Sequence, residues 1–201
     1  MNKKMIEITS CEVCGNDKLV EVLDLGSHPL CDDLISIGDN RVCQEFPIKI
    51  GFCETCLTAH QLYQVPKSSL FTKDYHYRAR MTGSVLAGME DFVESCEARF
   101  GDLSGKKVLD IGCNDGSLLT YFKRKGCKTL GVEPTQAAAD STHETFNEFF
   151  ESSTVDKILT QFGQPDIITF TNVFAHIEDL PGLLENLMRL MSPTSKLVIE
   201  N

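Results

Sequence analysis

Residues 108–119 read VLDIGCNDGSLL. Val108 to Ile111 form a short apolar strand, and Gly112, Asn114 and Gly116 supply a tight turn. Ser117 to Lys125 then form a helix that carries Leu118, Leu119 and Phe122 on its inner face. Gly126 ends the helix. The basic run Lys123, Arg124 and Lys125 falls in its last turn, where cations offset the helix dipole.

Downstream, KTLGVE at 128–133 is a second strand ending on Glu133. DIITFTNVFAHIEDL begins as a strand over 166–171 and turns polar at Asn172, and KLVIE at 196–200 is a fourth strand. Strands alternating with helices predict a parallel, doubly wound sheet. The stretch PTQAAADSTHET at 134–145 sits near the lower limit for a crossover, about 10–12 residues with its helix.

The glycine-rich turn bears on the ligand. Dinucleotide binders use G-x-G-x-x-G, which sets a pyrophosphate on a helix N-terminus. Here the pattern is D-x-G-x-N-x-G from Asp110 to Gly116, and position 117 is Ser rather than Gly. A carboxylate at the strand end repels a pyrophosphate and suits a cationic amino-acid group. That favours S-adenosylmethionine, whose ammonium and sulfonium are both positive. Glu133, at the next strand end, is placed to accept from two ribose hydroxyls, a feature that fits NAD equally well.

Two C-x-x-C motifs precede this region, Cys11–Cys14 in CEVC and Cys53–Cys56 in CETC. KLVEVLDL at 18–25 and FPIKIGF at 46–52 alternate in polarity as half-buried strands do. Each cysteine pair then falls at a turn, and two such turns facing each other predict a tetrahedral four-cysteine zinc site. The interval from residue 15 to 52 is longer than in a compact zinc ribbon. A thioredoxin-like redox role lacks the surrounding βαβ pattern.

The chain has 201 residues, enough for one ordinary domain and a small one. Its 42% hydrophobic and 24% charged content is that of a globular protein. A net charge of -10 argues against nucleic-acid binding, which relies on clustered cations. MNKKMIEITS lacks the apolar core of a signal peptide, and no apolar run spans a bilayer, so a cytoplasmic protein without membrane attachment is expected. Of the nine cysteines, Cys31, Cys43, Cys96, Cys113 and Cys127 are left over and read as small core residues.

Residues 73–104 connect the two regions. Val85, Leu86, Met89, Phe92, Val93, Cys96 and Phe100 recur at helical spacing, and Gly101 stops that helix. The preceding DYHYRARMTGS, at 74–84, concentrates aromatic and basic side chains in a connection. It reads either as a ligand-contacting segment or as a solvated loop.

In order, CEVCG, LDLGSHPL, FCETC, YHYRARMTGS, VLDIGCNDGSLL, GVEPT and NVFAHIEDL resemble the sugar C-methyltransferases that carry an N-terminal zinc-binding domain. The resemblance covers essentially the whole chain. It implies a β-rich zinc-binding domain over 1–72, a linker loop and helix over 73–104, and a class I Rossmann-like methyltransferase core over 105–201. That family continues past the strand ending here, so the core is expected to be incomplete at its C-terminus. A C-terminal domain or separate subunit would then complete the site.

The implied reaction is methylation of a nucleotide-linked 4-keto deoxysugar at C3, with S-adenosylmethionine as methyl donor. On this resemblance Cys11, Cys14, Cys53 and Cys56 hold zinc. Asp110, Gly112, Asn114, Gly116, Glu133 and Asn172 line the S-adenosylmethionine site, with Phe150 near the adenine. Tyr77 and His176 face the sugar. A histidine suits removal of the proton that the ketone acidifies, because its pKa lies near neutrality. Two other classes stand beside this expectation: a catalytically incompetent zinc- and cofactor-binding partner, and an NAD-dependent sugar oxidoreductase.

Overall fold

The computed structural model describes residues 5–72 and 75–201. Residues 1–4 and 73–74 lie outside them, including Asp74 of the aromatic and basic segment. The chain divides into two compact units, Met1–Phe71 and Thr72–Asn201. Among the described residues no helix is long and apolar enough to cross a membrane.

The first unit is built from short strands. β1 (Ile6–Glu7) pairs antiparallel with β5 (Tyr63–Gln64). β2 (Val20–Pro29), β3 (Glu45–Cys53) and β4 (Thr58–Gln61) form an antiparallel sheet in that order. A single helical turn, α1 (Lys67–Leu70), follows. The two strand regions expected from alternation are present, but β2 is exposed at every position. It is an edge strand with two register shifts against β3, so its alternation buries neither face within the unit. The central β3 takes the burial instead, ending on a fully buried Cys53.

The second unit opens with α2 (Gly83–Phe100), which Gly101 ends with φ 78°. There follow β6 (Lys107–Ile111), α3 (Ser117–Arg124), β7 (Lys128–Val132), β8 (Thr145–Phe146), α4 (Ser152–Gln161), β9 (Ile167–Thr171), α5 (Leu180–Leu190) and β10 (Lys196–Glu200). The strands form one parallel sheet in the order β10-β9-β6-β7-β8. The doubly wound α/β sheet expected from the alternating elements is therefore what forms. A fifth strand, β8, was not legible, because two residues are too few to carry a periodicity. The crossover before it is a 3-10 turn, Gln136–Asp140, in place of a full helix.

Alternation in β6 sends its residues to two cores. Leu109 and Ile111 pack with Val155 and Ile158 of α4 and Leu183, Leu187 and Leu190 of α5. Val108 packs on the other face with Val93 and Cys96 of α2 and Leu118, Leu119 and Phe122 of α3. Phe92 meets Phe122 edge-on at 6.4 Å across α2 and α3. Each large side chain buried this way contributes roughly 1.5–3 kcal/mol.

Cys96, Cys113 and Cys127 are core residues as expected. Cys31 is exposed and Cys43 only partly covered, so for these two the expectation fails. Both lie in the connection between β2 and β3, where no core is available to receive them.

The chain runs from β6 outward through β7 and β8, then returns to β9 and β10 on the other side of β6. The switch point thus lies between β6 and β9, and ligands of such sheets bind beyond the strand ends there.

Candidate functional site

In the first unit, the two cysteine turns have the same construction. Gly15 N donates to Cys11 O at 2.8 Å, and Leu57 N donates to Cys53 O at 2.8 Å. The residue after each second cysteine is left-handed, Gly15 at φ 74° and Leu57 at φ 59°. Such closure turns both sulfurs of a pair toward one point. Cys11 Sγ lies 3.5 Å from Cys56 Sγ, and Cys14 Sγ lies 3.7 Å from Cys53 Sγ. All four sulfurs fall within 4.8 Å of one another.

Tetrahedral zinc with bonds of about 2.3 Å sets its sulfurs roughly 3.8 Å apart, so the four cysteines fit such an ion. The surroundings differ between sulfurs. The Cys11 and Cys53 thiols are held below the usual thiol range. Against the pull of the Asn16 backbone N–H, burial and the other three cysteines push the Cys14 thiol up to about 12. His60 Nε2 lies 3.1 Å from Cys11 Sγ, and Thr58 Oγ1 lies 3.2 Å from Cys56 Sγ. Backbone N–H groups of the turn, first that of Cys56, pull the Cys53 thiol down to about 6. His60 and Thr58 carried no sequence signal, since β4 brings them to the sulfurs only by pairing with β3.

In the second unit, the turn after β6 is the centre of a bonded network. Gly112 and Gly116 both sit at φ 75°, and Asn114 at φ 51°. Asn is among the few side chains that tolerate this region. At Gly112 a Cβ would also collide with Val173 Cγ2, so glycine lets the turn approach the segment after β9. Asn114 N donates to Glu133 Oε2 at 3.0 Å, and Thr135 N donates to Glu133 Oε1 at 2.9 Å. Glu133, 5% exposed, is thereby held at the end of β7.

Asp110 pairs with Thr169 across the switch point, and Thr169 Oγ1 donates to Asp110 Oδ1 at 2.7 Å. Asp110 is only 2% exposed. Burial pushes its pKa up to about 7, against the pull of the Thr169 hydroxyl and with the Glu133 charge adding to the rise. A cationic group beside Asp110 would relieve that burial penalty. Such a carboxyl, the glycine cradle at Gly112 and an oriented Glu133 fit a ligand carrying both a cation and a ribose diol.

Residues 77–201 match the family described as a methyltransferase domain, and residues 11–71 match one described as a zinc binding domain. The chain belongs to the methyltransferase family. It is 29% identical over 198 residues to the C-methyltransferase NovU of Streptomyces niveus, covering 96% of this chain and 47% of that protein. It is 32% identical over 102 residues to a ubiquinone biosynthesis O-methyltransferase of Rhodopseudomonas palustris (strain BisB5), covering 48% of this chain and 40% of that protein. The chain spans about half the length of the curated relatives it matches.

Among solved structures, the plantazolicin methyltransferase BpumL in complex with a pentazolic desmethylPZN analog and SAH is similar at 20% identity and a TM-score of 0.47. That match covers 61% of this chain and 49% of that one. Magnesium protoporphyrin IX methyltransferase (ChlM) of Synechocystis PCC 6803 with bound SAH is similar at 18% identity and a TM-score of 0.43, covering 59% and 58%.

Within this methyltransferase domain, Asp110, Gly112, Asn114, Gly116 and Glu133 gather at the ends of β6 and β7. The other expected residues are placed separately. Asn172, at φ 55°, follows β9 directly, and its Nδ2 donates to Glu200 Oε2 at 3.1 Å. His176 closes the 3-10 turn Phe174–His176 beyond it, with an exposed side chain. Phe150 packs, partly buried, on the core beneath α4 and α5. Tyr77 is 45% exposed, and its carbonyl accepts from Asn114 Nδ2 at 3.2 Å.

Asp115, Asp140 and Asn147 escaped the sequence reading. Asn147 Nδ2 donates to the carbonyls of Glu133 and Thr135 at 2.8 and 2.6 Å, bracing the segment that carries the acid. Asp115 Oδ1 accepts from Ser117 Oγ at 2.6 Å at the start of α3. Only Asp115 left a trace, as the acid beside the glycines.

Proposed function

We propose that the chain is, or is part of, an S-adenosylmethionine-dependent C-methyltransferase acting on a nucleotide-linked keto-deoxysugar. The observation that carries the reading is the combination, at the ends of the adjacent strands β6 and β7, of a buried Asp110 with a fixed Glu133. The ordered resemblance of the whole chain, and the 29% identity with a protein named as a C-methyltransferase, support the carbon and sugar assignments.

When bound, S-adenosylmethionine supplies an electrophilic methyl group to a carbon deprotonated beside the ketone. Glu133 has four lone-pair sites on its carboxylate, of which Asn114 and Thr135 use two, so two remain to accept the ribose hydroxyls. Asp110 holds the cationic end of the cofactor. Gly112 keeps side-chain bulk out of the turn. Asn172 borders the site after β9, and the family resemblance assigns Phe150, partly buried against the core, to the adenine end. His176 takes up, on an imidazole nitrogen, the proton that the ketone acidifies, and Tyr77 orients the sugar. The four-cysteine zinc site has a structural role, since closed tetrahedral sites leave no position for substrate.

Calorimetry with S-adenosylhomocysteine and NAD side by side tests the reading. Binding of the first alone is expected, and binding of NAD alone would replace the methyltransferase with an oxidoreductase. Incorporation of labelled methyl onto carbon of a keto-sugar nucleotide tests the substrate class.

A further inference from the structure

The aromatic and basic segment before α2 is bound to the glycine-rich turn at several points. Ala79 N donates to Asn114 Oδ1 at 3.0 Å, and Arg80 N donates to Asp115 Oδ2 at 3.0 Å. Asn114 Nδ2 returns a bond to Tyr77 O. Arg78 Nη1 donates to the carbonyls of Tyr75 and Tyr77 at 2.7 and 2.8 Å, which stiffens the segment from within. Its Nε donates to Asp140 Oδ2 at 2.6 Å, and Arg80 Nη2 lies 3.2 Å from Asp140 Oδ1. Each oxygen of Asp140 thus receives a different guanidinium.

Asp140 closes the 3-10 turn that follows β7, a few residues beyond Glu133. The turn is capped at its other end by Thr135, whose hydroxyl accepts from Ala137 N at 3.2 Å. What Asp140 joins is residues 78 and 80 to the strand end that carries the ribose-binding acid.

We propose that Asp140 is a positioning residue that latches residues 77–80 as a strap onto the turn 112–116, so that ligand binding at that turn depends on the strap being seated. The proposal rests on the adenosyl-ligand reading above. Asn114 transmits the dependence, because its side chain holds the strap while its backbone N–H holds Glu133. An isolated surface ion pair contributes little. This one differs in having two donors, in the burial of Arg78, whose side chain is 10% exposed, and in the three bonds between strap and turn that it aligns.

The coupling sets the size of the effect. If the strap is seated for only a tenth of the time, apparent affinity falls about tenfold. By reciprocity, ligand must also favour the seated strap. The Asp140 carboxyl is held below the usual carboxylate range, first by Arg78 and then by Arg80.

The test compares wild type, Asp140→Asn and Asp140→Glu. Calorimetry with S-adenosylhomocysteine is run beside amide exchange resolved at Ala79 and Arg80. Asp140→Asn is expected to raise Kd about tenfold and to speed exchange at Ala79 and Arg80 while β6 and β7 keep their protection. Asp140→Glu should recover much of both. Ligand should slow exchange at those two amides in wild type and less so in Asp140→Asn.

Unchanged affinity and exchange would overturn the latch. So would loss of protection throughout the sheet, which marks an ordinary structural residue. Should Asp140→Asn not fold, Arg80→Ala removes one arm and must give a smaller change in the same direction. A wild-type chain that ignores S-adenosylhomocysteine would overturn the proposed function, and the dependence with it. The exchange rates at Ala79 and Arg80 would still show whether Asp140 holds the strap.

Discussion

The backbone N–H of Asn114 donates to Glu133 Oε2 at 3.0 Å, so the turn after β6 and the end of β7 form one bonded unit. Glu133 is thereby oriented before any ligand arrives, which spares binding the cost of ordering that side chain.

Glu133→Ala removes both the proposed ribose acceptors and the partner of Asn114 N. Hydrogen bonds to charged groups are worth about 1.5–3 kcal/mol. Affinity for S-adenosylhomocysteine should fall by roughly tenfold or more by calorimetry. Unchanged affinity would put the ribose elsewhere.

Asp110 predicts a pH dependence of defined sign. Its folded pKa of about 7 lies above an unfolded value of about 3.9, so the folded state holds the proton more tightly. The stability it contributes is fully present below about pH 4 and is lost as pH rises toward 7. The stability of Asp110→Asn relative to wild type should therefore increase across that window in urea titrations. Ligand binding at pH 6 should release protons, seen as a dependence of calorimetric heat on buffer ionisation. Heats independent of buffer would remove Asp110 from the ligand's charge.

One zinc per chain is expected on Cys11, Cys14, Cys53 and Cys56. Structural zinc supplies folding free energy directly. Cys53→Ser, or chelation, should unfold the first unit by circular dichroism. Metal analysis that finds no zinc in protein purified without chelator would refute the site.

Leu57 occupies the left-handed position that Gly15 fills in the other cysteine turn, and its side chain is exposed. Left-handed backbone costs a residue with a Cβ about 1–2 kcal/mol. Part of that is offset by the greater freedom glycine has when unfolded. Leu57→Gly should thus stabilise the zinc-loaded unit by up to about 1 kcal/mol in denaturant titration. A destabilised variant would mean that the Leu57 side chain makes contacts that outweigh the strain.

His176→Ala should lower kcat by about 10²–10⁴-fold, the range of general-base contributions, while affinity for S-adenosylhomocysteine holds. Single-turnover methyl transfer to a keto-sugar nucleotide is the measurement. A loss confined to KM would make His176 an orienting group and place the base elsewhere.

Much of this protein was decided by its local sequence. VLDIGCNDGSLL contains its strand, turn and helix, because apolar periodicity and left-handed turn positions are properties of adjacent residues. The paired C-x-x-C motifs specify a four-sulfur cluster for the same reason, since each turn orients its own two thiols. Tertiary structure decided the rest. The fifth strand exists only because β7 offers it an edge, and the exposure of β2 follows from its place at the rim of its sheet. Asp140 meets Arg78 across 62 residues, and Thr169 meets Asp110 across 59. Neither pair has a local signature: the second comes from the order in which parallel strands are laid down, and the first from the docking of the segment before α2 beside the turn after β7. The raised pKa of Asp110 has the same origin: its sequence neighbours supply the carboxyl, and the cores packed around β6 exclude the water that would have kept it charged.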